Sequence, residues 1–376
     1  MPAVEGENED RTALREAVRD VLADHASPEQ VRAALDSGPS EALWSALVKV
    51  GLPTLHVGEE LGGQGGSPGD LAAALEECGV ALAPSPLLSV GVAVSLLAAT
   101  GAPSVPALLA DAAAGSVVTV ALAEGSAGWL AAPETSAVPA GDGWELTGVK
   151  CYVTDPVGAR LVVSATTPDG PGLFVVEPGV ATVEVHGGLD LLRPVGTVTL
   201  SSAPATLLLE GVPAAEALLT WSRTAAVLLA AEQVGLAQAC LDLAVEYAKV
   251  RVQFGKPIGS FQAIKHLCAD MLLAVEGSRS LLWSATGILD DGRGADPTDD
   301  EAELVCATTA GHCADAAVKV AQDCLQVHGG IGFTWEHVCH LYLRRAKADE
   351  VLFGSPSYWR ERAVSVLERQ VAAAAS

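Results

Sequence analysis

The chain has 376 residues, half of them apolar, and a formal net charge of −24. That length and apolar content fit two or three packed domains and exclude a disordered chain. The acidic balance argues against nucleic acid and against an anionic membrane surface, so a phosphate-bearing ligand must be met by a few local cations and backbone amides.

Residues 1–115 read as an N-terminal helical domain. Apolar residues recur at helical spacing over Arg11 to Ala23, Glu41 to Val50 and Leu71 to Cys78, with Ser67-Pro68 as a helix start. No basic stretch runs into an apolar one at the N-terminus, so no secretory signal is expected. Gly62 to Gly66 lacks a following Lys and follows two glutamates, which suits a tight loop better than a phosphate cradle. The uncharged stretch from Val80 to Ala110 is broken by Pro, Gly, Ser and Thr and reads as buried helix and loop, not as a membrane span.

Residues 116–212 change texture. Short Val-, Thr- and Leu-rich runs alternate with Gly, Pro and Asp, as in a compact antiparallel β-domain. From 213 to 376 helical periodicity returns, over Thr224 to Lys249, Phe261 to Asp290, Glu301 to His328, His337 to Ala346 and Pro356 to Ala373. Gly329-Gly330 stops the third of these, and the long segments imply a four-helix bundle. The expected fold is therefore mixed α and β: helical domain, central β-domain, C-terminal bundle.

The eight cysteines form no CxxC pair and sit mostly in apolar helical patterns. They read as reduced core residues of a cytoplasmic protein. His337-Val338-Cys339-His340 places two imidazoles on one helical face but has no partners to complete a tetrahedral set, so no metal site is expected.

Two motifs carry most of the functional signal. Arg251-Val252-Gln253-Phe254-Gly255-Lys256-Pro257, running on to Gln262, puts a permanent cation, two amides and an aromatic ring around a turn between helices. Gln326-Val327-His328-Gly329-Gly330 ends a helix on two glycines beside an amide. Arg offers a rigid fork suited to phosphate, and glycine lets a backbone approach a ligand closely.

Together, and over nearly the whole chain, these motifs resemble the acyl-CoA dehydrogenase family, as does the order of helices, β-domain and bundle. The resemblance implies FAD as cofactor, an acyl-CoA thioester as substrate, electron-transfer flavoprotein as redox partner and a tetrameric assembly. It places Arg251 on the flavin diphosphate of a neighbouring subunit, with Gln253, Phe254, Gln262, Gln326 and Gly330 along the same groove. In the subunit's own half-site, Tyr152 would lie against the flavin ring and Thr154 near its N5. The matching loop Leu122 to Trp129 departs from the family pattern, with Ala123 where a hydroxyl is usual and Trp129 where a small hydroxyl residue is usual.

The family's α-proton abstraction needs a carboxylate in a dry pocket. Its two alternative base positions align with Phe353 and Ala225, both apolar, and Ala226 stands where a supporting arginine is frequent. Two nearby carboxylates remain, Glu350 and Glu232. The first belongs to an Asp349-Glu350 pair of helix-end, solvated character. The second lies in an apolar stretch and suits a structural partner for a bundle cation. Four readings follow: a homotetrameric dehydrogenase with a displaced base; a non-catalytic partner that completes the FAD site of a homologous catalytic chain in a heterotetramer; a flavin oxidase or N-hydroxylase on the same fold; and a scaffold without flavin. Retention of the donated contacts and loss of the chain's own chemistry favour the second.

Overall fold

A computed structural model describes residues 9–125, 128–130 and 132–375. Six helices come first: α1 (Glu9–His25), α2 (Pro28–Ser37), α3 (Glu41–Lys49), α4 (Pro68–Ala81), α5 (Leu87–Thr100) and α6 (Val105–Ala113). Ser67 caps α4 in a reciprocal pair with Asp70, and Pro68 follows in the first turn, where its missing N–H costs nothing. Arg15 of α1 is buried against Glu76 and Glu77 of α4, at 2.7 and 3.0 Å.

The strands are β1 (Val118–Ala121), β2 (Ser136–Ala140), β3 (Gly143–Thr154), β4 (Arg160–Thr167), β5 (Gly170–Val176), β6 (Thr182–His186) and β7 (Val195–Glu210). Their pairings close into a ring, β4–β2–β3–β7–β5–β4, with β1 added to β4 and β6 to β7. The domain is not wholly antiparallel. β1 runs parallel to β4, because the chain makes the β2–β3 excursion between them instead of a tight hairpin. Leu146, Val163, Phe174, Val198 and Leu200 fill the interior of the ring.

Helix α7 (Val212–Val250) starts twelve residues earlier than the sequence pattern suggests; Pro213 is accommodated in its first turn. A two-strand hairpin, β8 (Val252–Gln253) and β9 (Lys256–Pro257), then leads into α8 (Gln262–Asp290), α9 (Asp300–His328), α10 (Cys339–Asp349) and α11 (Pro356–Ala375). By length and composition α7 meets the requirement for crossing a bilayer, but 94% of its apolar window is buried inside the protein, as in a core helix. A Cβ on Gly235 would stand 1.9 Å from the Glu76 carbonyl oxygen, so glycine is what lets α4 and α7 approach so closely.

Candidate functional site

A cleft of about 640 Å³ lies between the β-domain and the α10 end of the bundle. Ala123 and Trp129 line it from the segment after β1, Tyr152 from β3, His186 from the end of β6, Asp190 from the β6–β7 connection, and Lys347 and Val351 from α10 and the turn beyond it. The segment after β1 is held by a buried ion pair that sequence reading missed. Lys150, fully buried on β3, pairs with Glu124 and donates to Ser164 Oγ at 3.1 Å. Glu124 also accepts from the Thr135 amide at 3.0 Å and the Thr135 hydroxyl at 2.6 Å. Ser126 and Ala127 of the expected family loop lie outside the described residues.

Tyr152 reaches the cleft and Thr154 does not. Strict strand alternation would put both on one face. A bulge between Lys150 and Val153, with Tyr152 at φ +56°, breaks that alternation. Thr154 is consequently buried, with its hydroxyl 2.8 Å from Ser89 Oγ. Asp155 beside it accepts from the same Ser89 hydroxyl at 2.6 Å, and burial pushes its carboxyl up to about 6.

Phe353 and Ala225, the positions that the resemblance aligns with the family's base, are both packed in apolar surroundings. Phe353, 3% exposed, meets the edges of Trp129 and Trp221 at ring-centroid separations of 5.1 and 5.9 Å. Trp221 is anchored by its indole N–H, which donates to the Val92 carbonyl at 2.9 Å. Ala225 and Ala226 are buried on the same helix as Trp221. Trp129 thus carries the apolar contact of Phe353 to the edge of the cleft, while Ala226 packs away from it against Ala307, Ala310 and Trp359.

Neither alternative carboxylate is free. Glu350 is ion-paired with Lys347, one turn earlier on its own segment. Glu232 takes two guanidiniums: Arg193 at 2.5 and 2.7 Å and Arg345 at 2.8 Å. Burial alone would raise its pKa; the two cations more than offset that and hold it below the usual carboxylate range. A side chain so fixed is a poor proton acceptor. Asp349 is not the solvated residue its position suggests. It is 1% exposed, accepts from Arg193 at 2.6 Å through Oδ1, and leaves Oδ2 without a hydrogen-bond partner. Burial raises its pKa. Arg345 also pairs with Asp190, which lines the cleft. Arg193 and Asp190 come from a loop whose isolated polar residues gave no periodic signal.

The two glycine-bearing motifs meet at the opposite end of α7. The ring of Tyr247, four residues before Arg251, stacks on His328, two residues after Gln326, at 4.4 Å and 23°. Phe254 and Gly255 both adopt positive φ, +52° and +78°, as a two-residue hairpin turn demands. Phe254 is 91% exposed and its ring meets Phe261 edge-on at 6.1 Å. The side chains of Arg251, Gln253 and Gln326 are exposed and make no hydrogen bond or ion pair among the described residues. Gln262 contacts His266 at 2.7 Å. A Cβ on Gly330 would meet nothing within 4 Å, so the backbone there is open to a ligand. Unpaired donors beside open backbone and an exposed ring suit a diphosphate and a flat ring system. Val250, Val252, Ile331 and Phe333 also leave apolar surface exposed around these donors.

Comparison with known proteins matches residues 8–105 to the acyl-CoA dehydrogenase N-terminal domain and residues 210–365 to the acyl-CoA dehydrogenase C-terminal domain. The chain is 37% identical over 353 residues to acyl-CoA dehydrogenase IpdE2 of Mycobacterium tuberculosis, covering 93% of this chain and 94% of that one. It is 35% identical to acyl-CoA dehydrogenase FadE34 of the same organism, across 96% of this chain but only 48% of the relative. Among solved structures, the Tcur3481-Tcur3483 steroid ACAD superposes with a TM-score of 0.87 at 34% identity, over 97% of this chain and 99% of that one. The ChsE4-ChsE5 complex from Mycobacterium tuberculosis gives 0.83 at 28% identity, over 97% and 98%.

Proposed function

The chain belongs to the acyl-CoA dehydrogenase family, and on that premise we propose that it is the base-lacking subunit of a heteromeric enzyme, completing the FAD site of a homologous catalytic chain. Arg251, Gln253, Phe254, Gln262, Gln326 and Gly330 are the residues that would hold the cofactor. When bound, FAD supplies the hydride acceptor for α,β-desaturation of an acyl-CoA, with electron-transfer flavoprotein as the electron acceptor.

The observation that carries this reading is a separation. Glu232 and Arg251 stand nineteen residues apart on α7, about 28 Å of helix at 1.5 Å per residue. Glu232 is joined through Arg345 to Asp190 in the chain's own cleft. No arginine side chain spans that distance, which supports a role for Arg251 outside its own chain's cleft, in a homomer and a heteromer alike. The fixed Glu232, the paired Glu350 and the aromatic packing at Phe353 favour the heteromer. The two-chain name of the ChsE4-ChsE5 neighbour agrees with a heteromer. The steroid substrate named for the Tcur3481-Tcur3483 neighbour makes a ring-bearing thioester the acyl class to try first.

The chain purified alone is expected to carry little flavin. Co-expressed with a homologous chain that retains the glutamate, it is expected to give a yellow complex that acyl-CoA bleaches anaerobically. Full flavin occupancy in the isolated chain would refute the proposal and favour the homotetramer with a displaced base.

A further inference from the structure

Behind the Gln326–Gly330 turn, the fold gathers soft ligands that lie far apart in sequence. Cys324 and His328 stand one turn apart on α9. The short helical turn after Gly329 reverses the chain and delivers Cys339, the first residue of α10, back onto them. The two sulfurs are 3.4 Å apart, and His328 Nδ1 is 3.7 Å from Cys324 Sγ and 3.5 Å from Cys339 Sγ. All three side chains are buried, and their ligand atoms lie within 4.8 Å of one another. The ring of half-buried His337 lies 4.5 Å from the His328 ring.

These separations are those of a metal's ligands. A tetrahedral zinc with sulfur at about 2.3 Å and nitrogen at about 2.0–2.1 Å sets S···S near about 3.8 Å and S···N near about 3.6 Å. The observed triangle is within a few tenths of an ångström of that on every side. Two sulfurs and an imidazole are also the donor types that a thiophilic d¹⁰ cation prefers.

We propose that Cys324, His328 and Cys339 form a site for a zinc-class cation, with a water completing the tetrahedron. Binding replaces the two thiol protons of Cys324 and Cys339 with the dication, and those two protons pass to solvent. His328 Nδ1 gives up its 2.8 Å contact to the Cys324 carbonyl in exchange for the metal. The ion would tie α9 and α10 together directly beneath the turn that presents Gln326 and Gly330. The site does not depend on flavin binding and is tested without it.

The test is a metal count on the full-length chain. After chelator stripping and back-titration with zinc alone, about one equivalent is expected to be retained through desalting. Cobalt titrated into the stripped chain is expected to give a thiolate-to-metal charge-transfer band that saturates at the same equivalence. Cys324→Ser and Cys339→Ser are each expected to abolish retention and the band while helix content stays unchanged. If those variants do not fold, the cobalt titration of the unmodified chain decides alone. A chain that retains no zinc and gives no band overturns the proposal. So does zinc still retained by the folded double variant, or a Cys324–Cys339 disulfide found by mass in place of the metal.

Discussion

The two ends of α7 have opposite character. At the C-terminal end an arginine, two amides and a phenyl ring are exposed, and the three polar side chains make no hydrogen bond or ion pair among the described residues. Toward the middle and N-terminal half of the same helix, Glu232, Asp190 and Glu350 are ion-paired, and Phe353 is packed against Trp129 and Trp221. On the proposed function, these exposed donors are free for a ligand held between chains. The packed rings are a stability feature, and they should behave as core residues when changed.

The contrast can be broken by substitutions, starting with the most damaging. Glu232→Gln leaves two buried guanidiniums without their shared counter-charge and should destabilise the chain by about 3–5 kcal/mol, read from the urea midpoint. A change under about 1 kcal/mol would mean the cluster is solvated and Glu232 is available for chemistry. Phe353→Ala removes a buried ring and should cost about 3–4 kcal/mol without creating turnover. Acyl-CoA oxidation by that variant alone would show that the ring had been blocking a competent site.

Asp155 gives a smaller, pH-dependent effect. Its folded pKa, about 6, lies above the ordinary aspartate value. The folded state therefore holds this proton more tightly, and the group's contribution to stability falls as pH rises from about 4 to 6. Asp155→Asn removes that loss, so the variant should gain on the parent by on the order of 1–3 kcal/mol between pH 4.5 and 7.5. An equal difference at both pH values would contradict the buried environment. Glu350→Gln should be the mildest change, within about 0.5 kcal/mol in stability and without effect on turnover of the two-chain complex. Loss of turnover would return Glu350 to the role of base.

Much of this was legible in the sequence. The helical and strand periodicities gave the order of elements, and the two glycine-bearing motifs could be read because each is local in the chain. Residue-level readings failed where the cause was not local. A bulge turned Thr154 inward while leaving Tyr152 in the cleft. Asp349 reads as a solvated helix-end residue, yet Arg193, far away in sequence, draws it into the core. The Lys150–Glu124 pair and the meeting of Cys324, His328 and Cys339 likewise depend on chain reversals that no periodicity records. The parallel β1–β4 pairing was missed for the same reason: short strands with turn signals between them do not say which strand is the neighbour.

The central claim is tested most directly by flavin content in the two-chain complex when Arg251→Ala is introduced into this chain only. The complex should stay assembled and lose flavin affinity about 10- to 100-fold, the worth of a charge-assisted hydrogen-bond pair, with turnover falling in step. Undiminished flavin and turnover in an intact complex would show that Arg251 holds no cofactor for its neighbour.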